Sequence, residues 1–431
     1  MMDKFDVIII GAGPAGSTAG LLLAKAGLNV VMIERGQTPG SKNVSGGLIY
    51  SRILNQAFPE FWKDAPTERA ITSHELVFLA DTAATSIGYR NDDAAVPPYN
   101  AFSVLRAKFD PWLAKQAENA GAALITGVTV DELIHEDGRV MGIRSGGDEL
   151  MADIVVIAEG TRSLLLKAAN LREDYYPHDV SIGIKEVISL PEEIITERFL
   201  CTPETGTAYT LVGSTAGIEG GGFIYTNNSS LSIGVVVKID SLYKSKLQPH
   251  EVLDEFKSHP FVSRIIKDGK VIEFSAQTVH RGGFHLIDQL YGDGYVVVGS
   301  AARLLINNLF TLRGMDMAVS SSITAAQAII SIKEENADFS KEKLSKYSDM
   351  FEADWAYQNF KEYMNVYSIM ENERLFSVYP GLISDVMEDL FGVDQRESKK
   401  ILASLRSNMR GKVSTGALLR DIYQISRGMV L

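Results

Sequence analysis

Gly11, Gly13 and Gly16 stand in the spacing GxGxxG directly behind the apolar run FDVIII. Glycines so spaced between a strand and a helix form a turn on which a pyrophosphate can lie. Gly11 permits the tight turn, Gly13 lets phosphates approach the main chain, and Gly16 lets the helix pack on the strand. Pro14 and Ala15 complete the turn, and the helix behind them offers free N–H groups at the positive end of its dipole. Glu34, 18 residues beyond Gly16, closes a second apolar run, LNVVMIE, with Arg35 beside it. A carboxylate there accepts from both ribose hydroxyls and repels a 2′-phosphate. The chemistry this pattern carries is dinucleotide binding.

The elements that must position these residues are a buried strand, a helix through STAGLLLAKAG stopped by Gly27, and a second strand ending at Glu34. The same region contains the uncharged run VIIIGAGPAGSTAGLLLA, long enough at 18 residues to suggest a membrane span or a signal peptide. Four glycines and a proline inside it, with Asp3 and Asp6 before it, favour the βαβ unit. At 431 residues the chain is too long for one simple core. A formal charge of −12 argues against nucleic acid as partner. The single cysteine, Cys201, can form no internal disulfide and cannot supply the four ligands of an iron–sulfur cluster. The chain therefore reads as cytoplasmic, and the spacing of its seven histidines suggests no metal.

Five further stretches carry a resemblance. DVIIIGAGPAGSTAGLLLAKAGLNVVMIERG, KNVSGGLIY, VLRAKFDPWLAKQAENAGA, GGGFIYTN and FTLRGMDMAVSSSITAAQAI resemble FixC-type flavoproteins. These are related to electron-transfer-flavoprotein:quinone oxidoreductase, within a wider group that includes geranylgeranyl reductases and aromatic hydroxylases. The resemblance implies FAD and an α/β fold. A discontinuous Rossmann-like FAD-binding domain (residues 1–75, 100–175 and 276–335) would carry an inserted, β-rich substrate or quinone-side domain (76–99 and 176–275). A helical C-terminal region would follow (336–431).

Carried over by position, the resemblance puts Ser45, Gly46 and Gly47 beside the flavin ring and Arg106 near the ribityl-phosphate portion. Arg106 equally reads as the start of an amphipathic helix. Val130 would touch the adenine through the main chain of an edge strand, and Ala158, Glu159 and Gly160 would end a second nucleotide strand, ADIVVIAEG. Gly299, Ser300, Arg313, Gly314 and Met315 complete the implied cofactor set. No residue reads as a nucleophile or general base, which suits a reaction carried by the cofactor.

The stretch VGSAARLLINNLFTLRGMD departs from the family pattern at three points. Ser300 stands where relatives place an Asp on a ribityl hydroxyl, and Arg303 and Leu309 stand where glycines are expected. A neutral hydroxyl in place of a charged acceptor costs about 1 kcal/mol, several-fold in affinity. The other two changes weigh more if the main chain there needs positive φ. Arg303 could set a cation by the flavin N1/C2 carbonyl or fill flavin space outright. A retuned site, a weakened one and a flavin-free scaffold are the three outcomes.

Residues 176–275 alternate as strands around turn residues, with TNNSS as a hairpin turn and helices within LPEEIITERFL and QPHEVLDEFKSHPFVSRII. Phe223 and Tyr225 could line an isoprenoid tunnel or belong to the core. His280 reads as a proton shuttle to a quinone or as a buried structural ring. From about residue 339 the chain turns helical, with Asp338 or Ser340 as first cap and Tyr347, Phe351, Trp355, Phe360, Tyr363 and Tyr367 as an aromatic stripe. The basic tail from residue 397 suits acidic lipid or an acidic partner. The implied activity is electron transfer between an electron-transfer flavoprotein and a quinone or a ferredoxin-like iron–sulfur partner, in a complex, with peripheral contact at the inner face of the cell membrane open. Alternatives are a geranylgeranyl-reductase-like or monooxygenase-like flavoenzyme.

Overall fold

The β-branched run at the N-terminus becomes the strand Phe5–Ile10, in which Val7, Ile8 and Ile9 are fully buried. Strands buried on both faces read as continuous apolar runs, as in parallel sheets covered by helices. The computed structural model, which describes residues 4–42, 47–283, 286–287, 289–393 and 399–429, places this strand inside such a sheet. Val30–Glu34 pairs parallel on one side and Asp148–Ile157 on the other, so Ile8 lies opposite both Val31 and Val155. Ala123–Thr126 extends the sheet at one end and Tyr295–Val297 at the other, both parallel.

The apolar run over residues 7–24 is a strand, a turn and the helix Pro14–Lys25. Pro14 sits in the first turn, where its missing N–H costs nothing, and Gly27 follows the helix at φ +84°. The helix Met315–Glu334 packs against it. That helix is the one element among the described residues long and apolar enough to cross a membrane, but 78% of its apolar window is buried inside the protein.

The second sheet has nine strands. In order they are Lys270–His280, Val180–Ser189, Ser230–Lys238, Gly220–Thr226, Thr205–Val212, Thr67–Ala80, Ala101–Val104 and Gly47–Tyr50, with Ala83–Arg90 also on Thr67–Ala80. All pairs are antiparallel except Thr205–Val212 with Thr67–Ala80. The sheet thus takes in strands from residues 47–104 as well as from the 176–275 insertion. The turn after Thr226 closes through Asn227 N–H to the Ser230 carbonyl, 2.9 Å. Within the two expected helical stretches lie Glu192–Phe199, Pro249–Ser258 and Pro260–Ile266.

Toward the C-terminus Ser340 holds the N-cap position of Lys341–Ala353, but its hydroxyl donates to Asp338 instead of capping. The aromatic stripe divides: Tyr347, Phe351 and Phe360 are buried in the main core, whereas Trp355 is exposed. The last helices, Tyr379–Phe391, Ile401–Met409 and Thr415–Met429, lie over the end of a large cavity between the two sheets.

Candidate functional site

The glycine turn is shaped by contacts that tolerate no side chain. Gly11 has φ +102°, and a Cβ there would sit 2.5 Å from the Ala158 carbonyl oxygen. A Cβ on Gly16 would sit 1.8 Å from the Gly11 oxygen. Gly13 is the N-cap of Pro14–Lys25 with no side-chain cap, so the helix N–H groups stay available to a ligand. Glu34 is held from below: Oε2 accepts from Ala12 N–H at 3.0 Å and Oε1 from Gly36 N–H at 2.7 Å. Those bonds fix its carboxylate at the cavity wall, beside Arg35, with lone pairs left for ribose hydroxyls.

Arg106 begins the helix Arg106–Asn119 and forms a fork with Asp110, Nε to Oδ1 at 3.1 Å and Nη2 to Oδ2 at 2.6 Å. Asp110 is fully buried, and the fork holds Nη2 within 3.6 Å of where a Gly13 Cβ would lie. Arg106 is therefore both a helix-starting residue and a cation held at the turn.

Ala158, Glu159 and Gly160 follow the strand Asp148–Ile157 into the cavity. The Glu159 carboxylate turns to its own chain, accepting from Leu165 N–H at 2.9 Å and Leu166 N–H at 3.0 Å. It closes the start of the helix Leu164–Ala168, leaving main-chain atoms as that segment's contribution to the cavity. Val130 lines the cavity, but from the connection after Ala123–Thr126 and not from an edge strand. Gly47 lines the cavity opposite Met315, whose Cε would be 3.3 Å from a Cβ there; Ser45 and Gly46 lie outside the described residues.

At the anomalous stretch, Ser300 lines the cavity in the short 3-10 turn Gly299–Ala302, and Gly299 N–H donates to Ser321 Oγ at 3.0 Å. Arg303 and Leu309 do adopt left-handed backbone, φ +59° and +73°, where glycine is favoured. Arg303 is not among the residues that line the cavity. Its guanidinium lies 4.4 Å from the Tyr175 ring centroid and donates to the Glu173 carbonyl at 2.9 Å. Leu309 remains on the cavity wall, and Leu309 N–H donates to Asn307 Oδ1 at 3.0 Å. Leu309→Gly is therefore expected to be about 1 kcal/mol more stable than Leu309→Ala, because both remove the side chain and only glycine relieves the left-handed strain. Urea unfolding of the two variants checks this. Arg313 pairs with Asp316 at 2.5 Å and stacks over Tyr50, setting Gly314 at the head of Met315–Glu334.

His280 is buried and packs parallel to Tyr175, at 8° between planes, on the face of a layer that includes Arg303. Burial first, then the charges of Arg172 and Arg303, push its pKa down to about 3. The ring is neutral near pH 7, which suits the structural reading better than the proton shuttle.

One face of the second sheet forms the opposite wall, with Lys185, Phe223, Tyr225 and Lys238. Lys238 Nζ reaches Glu219 at 3.1 Å and Glu371 at 3.0 Å, and Glu371 also pairs with Arg281. This network ties the C-terminal helices to the sheet. Beyond it the cavity, about 1000 Å³, becomes apolar between Phe376, Leu382, Met387, Leu418 and Ile422. Ligand cavities span roughly 300–1,000 Å³, so this one lies at the large end. Sequence reasoning missed Asp110, Lys185 and the Lys238–Glu371 pair. A lysine in phase with Ser181 and Gly183 in the doubly buried run SIGIKEVIS was the signal for Lys185.

The donor set fits FAD: glycines a Cβ would block, a carboxylate held at the cavity wall, a held arginine and a hydroxyl at Ser300. Residues 4–205 match the family described as FAD binding domain, 180–279 the family described as ETF-QO, ubiquinone-binding, and 366–430 the ETF-QO/FixC family C-terminal domain. Probable electron transfer flavoprotein-quinone oxidoreductase YdiS of Escherichia coli is 38% identical over 420 residues, 97% of each chain. Protein FixC of Escherichia coli is 41% identical over 393 residues, 91% of each chain. Protein FixC of Azorhizobium caulinodans is 37% identical over 433 residues, 99% of each. Among solved structures, a geranylgeranyl bacteriochlorophyll reductase-like protein from Thermoplasma acidophilum superposes with TM-score 0.73 at 21% identity, covering 98% of this chain and 99% of that one. The flavin-dependent brominase Bmp2 gives 0.67 at 19%, covering 99% and 100%. At those identities the structures share the fold.

Proposed function

Since the chain belongs to the ETF-QO/FixC family, FAD-dependent oxidoreductases of the electron-transfer-flavoprotein–quinone oxidoreductase type, we propose that it passes electrons between an electron-transfer flavoprotein and a quinone. A separate ferredoxin-like iron–sulfur chain would complete the complex, since Cys201 alone cannot hold a cluster. The observation that carries the proposal is the single cavity running from the glycine turn to the apolar space under the C-terminal helices. Its polar end fits a dinucleotide, and its apolar end fits the ring and tail of a quinone.

When bound, FAD supplies exchange between two-electron and one-electron transfer. The chain's own residues do the rest. The Gly11–Gly16 turn and Glu34 hold the ADP half, Arg106 neutralises phosphate, and Ser300 offers a hydroxyl to the ribityl chain. Gly47 and Met315 would hold the ring between them, and the sheet face would keep water from it.

Support for peripheral membrane contact comes from Phe391, Val393, Leu402, Leu419 and Ile422, all exposed, with Arg406, Arg420 and Arg427 in the last two helices and Lys399, Lys400 and Lys412 flanking them. The test is reduction of the bound flavin. Reduced electron-transfer flavoprotein is expected to bleach it within seconds, and a short-chain ubiquinone to restore the colour, while NADPH alone leaves it oxidised. Rapid bleaching by NADPH with oxygen consumption would favour a monooxygenase, and failure of quinone to reoxidise would remove the quinone from the reading.

A further inference from the structure

Lys185 is 1% exposed and its ammonium has no hydrogen-bond partner among the described residues. A buried donor left unmade costs about 1–3 kcal/mol, more for a charged group, so such a side chain is kept only where something else rewards it. Its surroundings say what. Lys185 lies in the strand Val180–Ser189 directly opposite Gly234, and Gly234 lies opposite Phe223 in the next strand. All three share the sheet face that lines the cavity. Gly234 carries no side chain, and a Cβ there would meet the Phe223 ring at 2.6 Å. The gap lets Phe223 lean across toward Lys185, whose Nζ is 6.0 Å from the ring centroid. Phe223 and Tyr225 then stack ring on ring at 5.0 Å and 24°, an aromatic pair with the Lys185 amine beside it.

Charges around Lys185 do not satisfy it. Glu273, on the neighbouring strand, makes no ion pair with it among the described residues, and Arg106 on the far wall repels it. Burial first holds its pKa well below the usual lysine range, with Glu273 opposing and Arg106 adding to the shift. The site asks for a planar ring that packs against the Phe223–Tyr225 pair and presents an electron-rich oxygen to the amine.

We propose that Lys185 is the hydrogen-bond donor to a ring carbonyl oxygen of the quinone, which packs against the Phe223–Tyr225 pair. This rests on the quinone reading above and adds the residue that orients the ring. The contact is made in the ground state, before any electron moves, so it is read as binding.

The test titrates oxidised holoprotein with 2,3-dimethoxy-5-methyl-1,4-benzoquinone, a headgroup without a tail, following protein fluorescence and the visible flavin bands. Lys185→Met is expected to weaken binding about tenfold, the loss of one buried hydrogen bond. FAD content per chain and the ligand-free spectrum should stay unchanged. Lys185→Gln, which keeps a shorter donor, should fall between the two. Equal quinone affinity in wild type and both variants would overturn the Lys185 assignment and leave the quinone reading intact. Loss of FAD from Lys185→Met, with unchanged quinone affinity in reconstituted protein, would make Lys185 a cofactor ligand and equally overturn it. A wild type that binds no benzoquinone would overturn both.

Discussion

Gly16→Ala is expected to leave the purified protein almost without flavin, at less than a tenth of the FAD carried by the wild type. The added methyl carbon would lie 1.8 Å from the Gly11 carbonyl oxygen, main chain that cannot swing aside. Relief requires the helix Pro14–Lys25 to lift from the strand Phe5–Ile10, which both overpacks the core and opens the turn. Overpacking alone costs about 1–3 kcal/mol, and 3 kcal/mol is a factor of more than a hundred in affinity. Gly20→Ala, one turn further, is the control. Its methyl would meet the flexible Met32 Sδ at 2.5 Å, so side-chain movement suffices and flavin should be retained. Absorbance near 450 nm per chain separates the two variants, and equal flavin in both would remove the packing role given to Gly16.

His280 should dominate one part of the acid response. Its pKa is about 3 when folded and about 6.5 in an unfolded chain, so the unfolded state binds the proton first. The stabilisation from burying the neutral ring is complete above pH 6.5 and is lost as pH falls toward 3. The expected slope is about 1.4 kcal/mol per pH unit over that window, or about 2 kcal/mol between pH 6.5 and pH 5. His280→Gln lacks this titration. Urea unfolding at pH 7 and pH 5 should show the variant less stable at pH 7 and the gap shrinking by about 2 kcal/mol at pH 5. Parallel losses in both proteins would show that the ring is hydrated or protonated in the folded state.

Legibility followed the range of the interactions. Gly16 and Glu34 act through contacts within one βαβ unit and Gly11 through its positive φ there, so spacing alone exposed them, although the carbonyl that crowds Gly11 comes from Ala158. The expectation that Arg303 and Leu309 occupy glycine-like backbone was also local, and both have positive φ. Where their side chains go was not local. Arg303 turns to Tyr175 and Glu173, more than a hundred residues away in sequence. Glu159 appeared as a nucleotide contact because its neighbours fit that pattern, yet its carboxylate is taken by Leu165 and Leu166 N–H groups.

By itself the sequence determined the glycine turn, the carboxylate that closes its second strand, the single cysteine and the alternation of strand and turn beyond residue 176. These depend on residue type and short spacing, which set φ, ψ and the nearest hydrogen bonds. Only the tertiary structure decided that Thr67–Ala80 and Gly47–Tyr50 join the second sheet, and that Lys185, Gly234 and Phe223 fall in one row on its cavity face. A strand's side chains alternate with period two, so one residue of register moves every side chain to the other face. That register is fixed by partners distant in the chain, and no local pattern around Lys185 contains it.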